Sequence, residues 1–283
     1  MILIADSGST KTDWVLLDTD KTEVLRTSTI GFNPYFCDSK LVEKEILDNQ
    51  ELYHYKDKIS RVFFYGAGCS SKLSNQIIEK GMTMVFKKAK ILVDHDMLAA
   101  AYAGYDGSPS IVCILGTGSN CCYFDGKNIR SDMPSLGYIF GDKGSGNHLG
   151  KKVLTQYFEK KMPKDLSEKL EDSFDVRWDT VKNNIYNKPL PNTYLATFSE
   201  FVYQYKEHPF IKKLVEDAFV SFFVSQVEIY PESKTCPIHF SGSVAYYFQD
   251  ILAEVMQKLN YKMGNIIKKP IDSLVKYHVD YLL

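Results

Sequence analysis

Three short turns rich in glycine and hydroxyl side chains are the part of this sequence best suited to chemistry. They are residues 6–11 (Asp-Ser-Gly-Ser-Thr-Lys), 116–120 (Gly-Thr-Gly-Ser-Asn) and 241–243 (Ser-Gly-Ser), and each follows an apolar segment. Glycine lets backbone N–H groups approach an anion closely, and Ser and Thr add hydroxyl donors. Any one of them can be an ordinary tight turn. Three turns with the same glycine and hydroxyl residues, each after an apolar segment, favour polyphosphate binding. The residues predicted to contact the polyphosphate-containing ligand are Asp6, Gly8, Ser9, Thr10, Lys11, Gly116, Thr117, Gly118, Gly242 and Ser243.

Two aspartates stand where carboxylate chemistry is useful. Asp6 lies beside the first turn and can hold Mg²⁺ next to phosphates, mostly through water, or it can simply stabilise the turn. Asp96 begins a predicted helix, where it can accept the proton of an attacking hydroxyl, or act only as the helix N-cap. One such base and one Mg²⁺ suffice for phosphoryl transfer, because the protein mainly positions groups and stabilises charge. The adjacent His95 is interpreted as a packed or surface residue.

Two further polar segments are suited to holding a small molecule. Residues 141–146 (Gly-Asp-Lys-Gly-Ser-Gly) let the backbone approach a ligand, and Asp142 can accept hydrogen bonds from sugar hydroxyls. The alternative is a loop that caps the following helix. Asn33 follows a strand and suits either a binding loop or a simple turn. Neither a Walker loop nor a dinucleotide fingerprint after the first strand is present in the sequence.

Alternating strands and helices must position these residues. The pattern predicts strands at 2–5, 12–18, 23–30, 61–65, 91–93, 110–115, 121–124 and 237–240, with a tight hairpin at 125–126. It predicts helices at about 39–49, 70–86, 244–259 and 271–283, another beginning near residue 96, and amphipathic stretches from about 143 to 230. Each half opens with a strand, a glycine turn and a second strand, which favours a duplicated unit of mixed α/β sheets.

The composition excludes several other classes of protein. The 283 residues favour two domains, and 45% apolar with 24% charged residues is typical of a globular chain. A net charge of −1 argues against nucleic acid or an anionic membrane as partner. The six cysteines form no Cys-x-x-Cys pair, so neither a metal site nor a disulfide framework is expected. With no signal peptide or spanning apolar run, we expect a reduced, soluble, cytoplasmic protein.

The sequence resembles the BadF/BadG-type ATPase family, and most closely its N-acetylglucosamine kinase-like branch. That family is part of the actin-like superfamily of sugar kinases, chaperones and actin. The most specific match is Gly-Thr-Gly-Ser-Asn at 116–120 followed by Gly-x-x-x-Gly-Asp-x-Gly-Ser at 137–145. Further matches are residues 6–12, Asn33, Asp96 and 241–245.

The resemblance implies an α/β fold of two ribonuclease-H-like domains, with mixed sheets flanked by helices and a cleft between the domains. ATP with Mg²⁺ is expected at the bottom of the cleft and an amino sugar above it. The expected domains are 1–106, joined by a C-terminal helix at about 266–283 that packs back on it, and 107–265.

The resemblance also assigns roles to individual residues. It places the first phosphate loop at Asp6, Gly8 and Thr10, the second at Gly116, Thr117 and Gly118, and the adenosine loop at Gly242 and Ser243. Asp96 matches the catalytic base. The positions expected to hold the sugar are Asn33, Asn120, Gly137 and Asp142.

Two departures from the family concern the sugar. The family often has Trp where Leu136 stands and Glu where Lys143 stands, so a stacking platform is lost and the local charge changes. The expected function is therefore an amino-sugar kinase, with N-acetylglucosamine ahead of glucosamine and N-acetylmuramate, acting at the 6-hydroxyl. The alternatives are an ATPase that activates a partner protein and a non-catalytic nucleotide- or sugar-sensing module. A homodimer is expected only by analogy with similar kinases.

Overall fold

The computed structural model describes all 283 residues, and its strands form two mixed sheets of five strands each. In the first sheet the order is β3-β2-β1-β4-β5, and in the second it is β8-β7-β6-β9-β10. In both, the central strand pairs antiparallel with the next strand of its hairpin and parallel with the strand on its other side. The strands are β1 (Ile2–Ser7), β2 (Lys11–Leu17), β3 (Glu23–Ile30), β4 (Arg61–Gly66), β5 (Lys90–His95), β6 (Ser110–Leu115), β7 (Ser119–Phe124), β8 (Ile129–Arg130), β9 (Pro237–Ser241) and β10 (Lys262–Ile267).

Helices account for most of the remaining chain. A π-helical turn, Phe223–Val227, continues directly from α11, another, His278–Leu282, follows α14, and a 3₁₀ turn spans Pro231–Lys234. None of the helices combines the length and apolar character that crossing a bilayer requires. The α-helices are α1 (Ser39–Asp48), α2 (Gln50–Tyr55), α3 (Lys72–Val85), α4 (Asp96–Gly104), α5 (Gly137–Phe140), α6 (Gly146–Phe158), α7 (Lys164–Ser173), α8 (Trp178–Tyr186), α9 (Pro191–Thr197), α10 (Ser199–Gln204), α11 (Pro209–Phe222), α12 (Ser243–Tyr247), α13 (Gln249–Lys258) and α14 (Pro270–Tyr277).

The chain divides into two compact units. Unit 1 consists of Met1–Ala103 together with Pro270–Leu283, and unit 2 is Gly104–Lys269. Each unit contains one of the sheets and has its own buried core. The predicted α/β class with mixed sheets flanked by helices is confirmed.

The core of unit 1 shows why its strands lie where they do. Alternate residues of β1 and β2 face α1 and α3, because side chains of a strand point to opposite faces in turn. Trp14, Phe32 and Phe64 are fully buried there, with ring centroids 6.0–6.3 Å apart. Asp38 begins α1 by accepting a hydrogen bond from Leu41 N, which satisfies one of the free N–H groups of the first turn.

Three local predictions are wrong. The helix predicted at 244–259 breaks at Phe248 (φ −108°, ψ 24°), so α12 and α13 are separate. The segment from Lys262 forms strand β10 parallel to β9, and the C-terminal helix begins at Pro270 instead of about residue 266. The strand was missed because a β-bulge between Met263 and Ile266 interrupts the alternation of side chains.

Candidate functional site

Two buried hydroxyls fix the base of the first turn. Ser7 and Thr12 face each other across the β1–β2 hairpin, with their hydroxyl oxygens 2.7 Å apart. Thr12 donates its proton to Ile30 O at 2.9 Å, and Ser7 Oγ accepts from Phe32 N at 2.9 Å. The turn is thus held to the segment that follows β3 by hydrogen bonds that are buried or partly buried.

Gly31 allows that segment to pass directly beneath the turn. A Cβ on Gly31 would lie 2.2 Å from Gly8 O and 2.7 Å from Thr10 N, distances that real atoms do not reach. Gly8 N donates to Lys11 O at 2.9 Å and closes the turn. The backbone of the turn therefore lies on residue 31, and only glycine fits there.

Asn33 joins the first turn to the next loop. Its Nδ2 donates to Ser9 Oγ at 3.1 Å, and its Oδ1 accepts from Tyr35 N at 3.0 Å. The side chain is buried. Asn33, which was predicted to hold the sugar, therefore lies against the predicted phosphate loop. Lys11, another predicted contact of the nucleotide, forms an ion pair with Asp13 at 2.6 Å.

Asp6 and Asp96 lie at one edge of the first sheet. Asp6 of β1 is in register with Tyr65 of β4 and, through it, with Asp94 of β5, so three parallel strands end together. In open α/β sheets, ligands bind outside the carboxyl ends of the strands. Burial, followed by the carboxylates of Asp96 and then Asp13, raises the pKa of Asp6 to about 7. The crowding of negative charge is what a bound cation would relieve.

The helix that begins at Asp96 is capped by its neighbour. His95 Nδ1 accepts a hydrogen bond from Leu98 N at 3.2 Å, the contact by which a capping side chain acts. Asp94 Oδ1 in turn accepts from His95 N at 2.8 Å. The capping role considered for Asp96 belongs to His95, a contact that the sequence interpretation of His95 as packed or surface missed.

The second turn rests on the start of α6 in unit 2. Gly116 N donates to Gly118 O at 3.0 Å within the turn. Two amides of α6 donate to the turn, Gly146 N to Gly116 O at 2.8 Å and Asn147 N to Thr117 O at 3.1 Å. The carbonyl groups of the turn therefore face the helix.

Asp142 braces the second turn. Its Oδ1 accepts from Ser119 N at 3.1 Å and its Oδ2 from Asn147 Nδ2 at 2.7 Å. Burial raises the pKa of Asp142, while these two hydrogen bonds and Lys151 oppose the rise. Asp142 also lies against Gly118, where a Cβ would be 3.0 Å from Oδ2. Both carboxylate oxygens thus already have partners inside unit 2, a role that the sequence did not indicate.

The third turn touches the second. Gly242 has a φ of 115°, a backbone conformation that residues with a side chain rarely adopt. A Cβ at this position would also lie 2.5 Å from Leu115 O and 3.2 Å from Gly116 N. Ser243 is exposed and begins α12. Unit 2 therefore brings its two glycine turns together at the carboxyl ends of β6 and β9.

The other two residues of unit 2 that were predicted to hold the sugar, Asn120 and Gly137, lie in β7 and at the start of α5. Asn120 is the second residue of β7, and its Oδ1 accepts from Cys121 N at 2.9 Å. Gly137 has a φ of 65° and begins α5. Leu136 beside it is half-exposed, and Lys151 Nζ donates to Tyr138 O, which ties α5 to α6.

Comparison with known proteins places the chain in a family. The sequence profile of the BadF/BadG/BcrA/BcrD ATPase family matches residues 5–215. The chain belongs to this family. A search among curated proteins found no match.

Several solved structures are similar to this chain. The crystal structure of a candidate N-acetylglucosamine kinase from Porphyromonas gingivalis is 35% identical over all of both chains, with a TM-score of 0.92. A second candidate N-acetylglucosamine kinase, from Chromobacterium violaceum, is 14% identical over 98% of each chain, with a TM-score of 0.71. A ROK family glucokinase from Streptomyces griseus, in complex with glucose and AMPPNP, is 11% identical over 98% of this chain and 97% of its own, with a TM-score of 0.60. All three structures share the α/β fold of this chain.

Proposed function

We propose that this chain is an ATP-dependent kinase that phosphorylates an amino sugar, with N-acetylglucosamine as the leading substrate and the 6-hydroxyl as the acceptor. Glucosamine and N-acetylmuramate are the next candidates. The observation that carries the proposal is the position of Asp96. It follows β5 at the carboxyl edge of the first sheet, close enough to Asp6 to raise the pKa of that residue. Membership of an ATPase family and the likeness to a candidate N-acetylglucosamine kinase support it.

Asp96 acts as the general base in this proposal. Its carboxylate takes the proton of the sugar hydroxyl while the hydroxyl oxygen bonds to the γ-phosphorus of ATP. The bond from that phosphorus to the bridging oxygen breaks, and ADP leaves with the electron pair. The products are the sugar phosphate, ADP and the proton on Asp96.

The glycine turns hold the nucleotide. In the turns at residues 8–11 and 116–118, the N–H groups of Gly8 and Gly116 pair within the turn, and the remaining N–H groups and the hydroxyls stabilise the charge of the phosphates. Gly242 and Ser243 contact the adenosine. The conformations that Gly31 and Asp142 impose on these turns exist before ATP arrives, so little ordering is needed on binding.

A magnesium ion fits the donor set at Asp6. Asp6 is a single carboxylate crowded by Asp96 and Asp13, and nowhere does the chain gather three or more His, Cys, Asp or Glu side chains able to hold a metal ion. Mg²⁺ is normally bound through one or two carboxylates, with waters and substrate phosphates completing its shell. Asp6 would hold it, and the ion would neutralise charge on the phosphates.

The sugar contacts are assigned to Asn33, Asn120, Gly137 and Asp142. Each of the two Asp142 oxygens already accepts one hydrogen bond, and a carboxylate oxygen can accept a second from a sugar hydroxyl.

A coupled assay of ADP release tests the proposal. The panel contains N-acetylglucosamine, glucosamine, N-acetylmannosamine, N-acetylmuramate and glucose, with a reaction lacking sugar as the control. We expect one amino sugar to stimulate ADP release strongly, and mass and NMR analysis of the product to locate the phosphate on O6. ATP hydrolysis indifferent to every sugar would favour a partner-activating ATPase, and binding without turnover would favour a sensing module.

A further inference from the structure

Gln226 lies in a helical turn of unusual geometry. The residues Phe223–Val227 continue α11 as a π-helical turn, in which Glu228 N donates to Phe223 O at 2.9 Å. Such turns are rare inside helices and are found frequently at functional sites. Gln226 is the buried polar residue of this turn, with 4% of its surface exposed.

The amide of Gln226 reaches the second glycine turn. Its Nε2 donates to Ser119 Oγ at 2.9 Å, across 107 residues of sequence. Ser119 is buried and follows Gly118 directly, and its own N–H is bonded to Asp142. The extra residue of the π-helical turn changes which of its side chains face β7. Gln226 is the one that reaches Ser119 of the second glycine turn.

Asn147 holds the same turn from the other side. This fully buried residue of α6 donates from Nδ2 to Thr117 O at 2.7 Å and to Asp142 Oδ2 at 2.7 Å, and from its backbone to Thr117 O at 3.1 Å. Ser119 and Thr117 are thus bonded on either side of Gly118. Only the donor side of the Asn147 amide takes part, since its Oδ1 is buried and accepts no hydrogen bond. The buried donor contacts of Gln226 and Asn147 therefore hold the turn in one conformation.

We propose that Gln226 and Asn147 are positioning residues of the second phosphate turn and set the affinity for nucleotide. Neither residue touches the phosphates in this proposal. They act by holding the turn so that its N–H groups need no rearrangement when the anion binds. The inference rests on the proposed binding of ATP at Gly116–Gly118.

The test compares Gln226→Met and Asn147→Ala with Tyr230→Phe. Met approximates the shape of Gln without the donor, and Ala removes both donor contacts of Asn147. The control removes a buried hydroxyl that donates to Cys121 O at 3.0 Å and accepts from Asp132 N at 3.2 Å, so its hydrogen bonds reach β7 just after the turn and no residue of 116–120. Calorimetry with the non-hydrolysable analogue AMPPNP gives nucleotide affinity, calorimetry with N-acetylglucosamine gives sugar affinity, and hydrogen exchange reports on residues 116–120.

We expect both variants to weaken AMPPNP binding about tenfold, a loss of about 1.4 kcal/mol. Sugar affinity should stay within about twofold of wild type in Gln226→Met, whose hydrogen bond goes to Ser119 and not to Asp142. Amide exchange of residues 116–120 should rise in both variants and stay at the wild-type rate in Tyr230→Phe. In a kinetic assay, the KM for ATP should rise more than kcat falls.

A double-mutant cycle keeps the test independent of any one variant. Ser119→Ala removes the same hydrogen bond from its other end, so Ser119→Ala with Gln226→Met should lose little more affinity than either alone. Nucleotide affinity in Gln226→Met and Asn147→Ala equal to that of Tyr230→Phe would overturn the inference alone. Failure of the wild-type chain to bind AMPPNP would overturn the proposed function, and the inference with it.

Discussion

Asp6 illustrates how burial and neighbouring charge give one carboxylate unusual properties. Burial, then Asp96 and then Asp13, raise its pKa to about 7, so near pH 7 the metal-free protein is divided between the protonated and the ionised form. The ordinary carboxyl value is 3.8. The arrangement costs stability but places negative charge where a cation bound to phosphates would need it.

Asp96→Asn should abolish most of the turnover. Because the amide cannot accept the hydroxyl proton, we expect kcat to fall by about 10²–10⁴-fold or more while the dissociation constant for ATP stays nearly unchanged. The matched control is Asp94→Asn, whose amide oxygen can still accept from His95 N. Steady-state kinetics of both variants measure kcat. A near-normal kcat in Asp96→Asn would show that Asp96 is not the general base.

Asp6→Asn should make the metal-free protein more stable while lowering its activity. A raised carboxyl pKa means that the folded state binds more protons than the unfolded state, so this group contributes a loss of stability as the pH rises from about 4 to 7. We expect a gain of about 2–4 kcal/mol in the free energy of unfolding at pH 8 and about half of that at pH 5.5. Urea denaturation with a chelator present measures both, and a variant less stable than wild type at pH 8 would contradict the assigned cause.

At the scale of elements, the strands and turns were predictable and the contacts between them were not. Local alternation and turn chemistry locate β1, β2 and the glycine turn between them. Contacts such as Gln226 with Ser119 join residues far apart in sequence and leave no local pattern. Strand β10 escaped prediction for a related reason, since its Gly264 and bulge break the alternation that marks a strand.

Gly31→Ala should damage the first turn. The added Cβ would meet the backbone of residues 8–10 at 2.2–2.7 Å, so the turn must move. We expect a loss of about 1–3 kcal/mol of stability and at least about a tenfold rise in the KM for ATP.

Gly107→Ala is the control for Gly31→Ala. Its φ is 98°, and a Cβ there meets nothing within 4 Å. Backbone strain should therefore cost about 1–2 kcal/mol without changing the KM for ATP. Similar KM values for the two variants would show that the turn does not depend on Gly31.

At the scale of the whole molecule, each unit contains a buried histidine that resists protonation. Burial lowers the pKa of His278 in unit 1 to about 4. In unit 2, burial lowers the pKa of His148 to about 3, with Lys152, Lys143 and Lys151 adding to the effect. His278 Nε2 lies 2.9 Å from Tyr65 Oη, and Gly144 N donates to His148 Nδ1 at 2.9 Å.

The stability of unit 1 should therefore fall in acid through His278. A lowered pKa means that the unfolded state takes up the proton first, so the stability is fully present above about pH 6.5 and is lost as the pH falls towards 4. We expect His278 to account for about 2 kcal/mol between pH 7 and pH 5. Thermal unfolding across this range should be less pH-dependent in His278→Gln, whereas the exposed control His54→Gln should follow wild type. An unchanged profile in His278→Gln would contradict the role.

The sequence also predicted that the two halves repeat one strand–turn–strand unit, and the two sheets have matching strand orders. The periodic apolar pattern of each half specifies its sheet. The sequence did not predict how many helices lie between residues 143 and 230. An amphipathic pattern indicates helix but does not show where one helix ends and the next begins.

The division of unit 1 into two segments has a consequence for the order in which the protein is made. Helix α14 packs on β1 and β2, yet it is synthesised after all of unit 2. A nascent chain emerges from the ribosome starting at its N-terminus, and domains generally fold as they appear. Unit 2 can therefore complete its fold during translation, while the part of β1 and β2 on which α14 packs stays uncovered until residues 270–283 have been added.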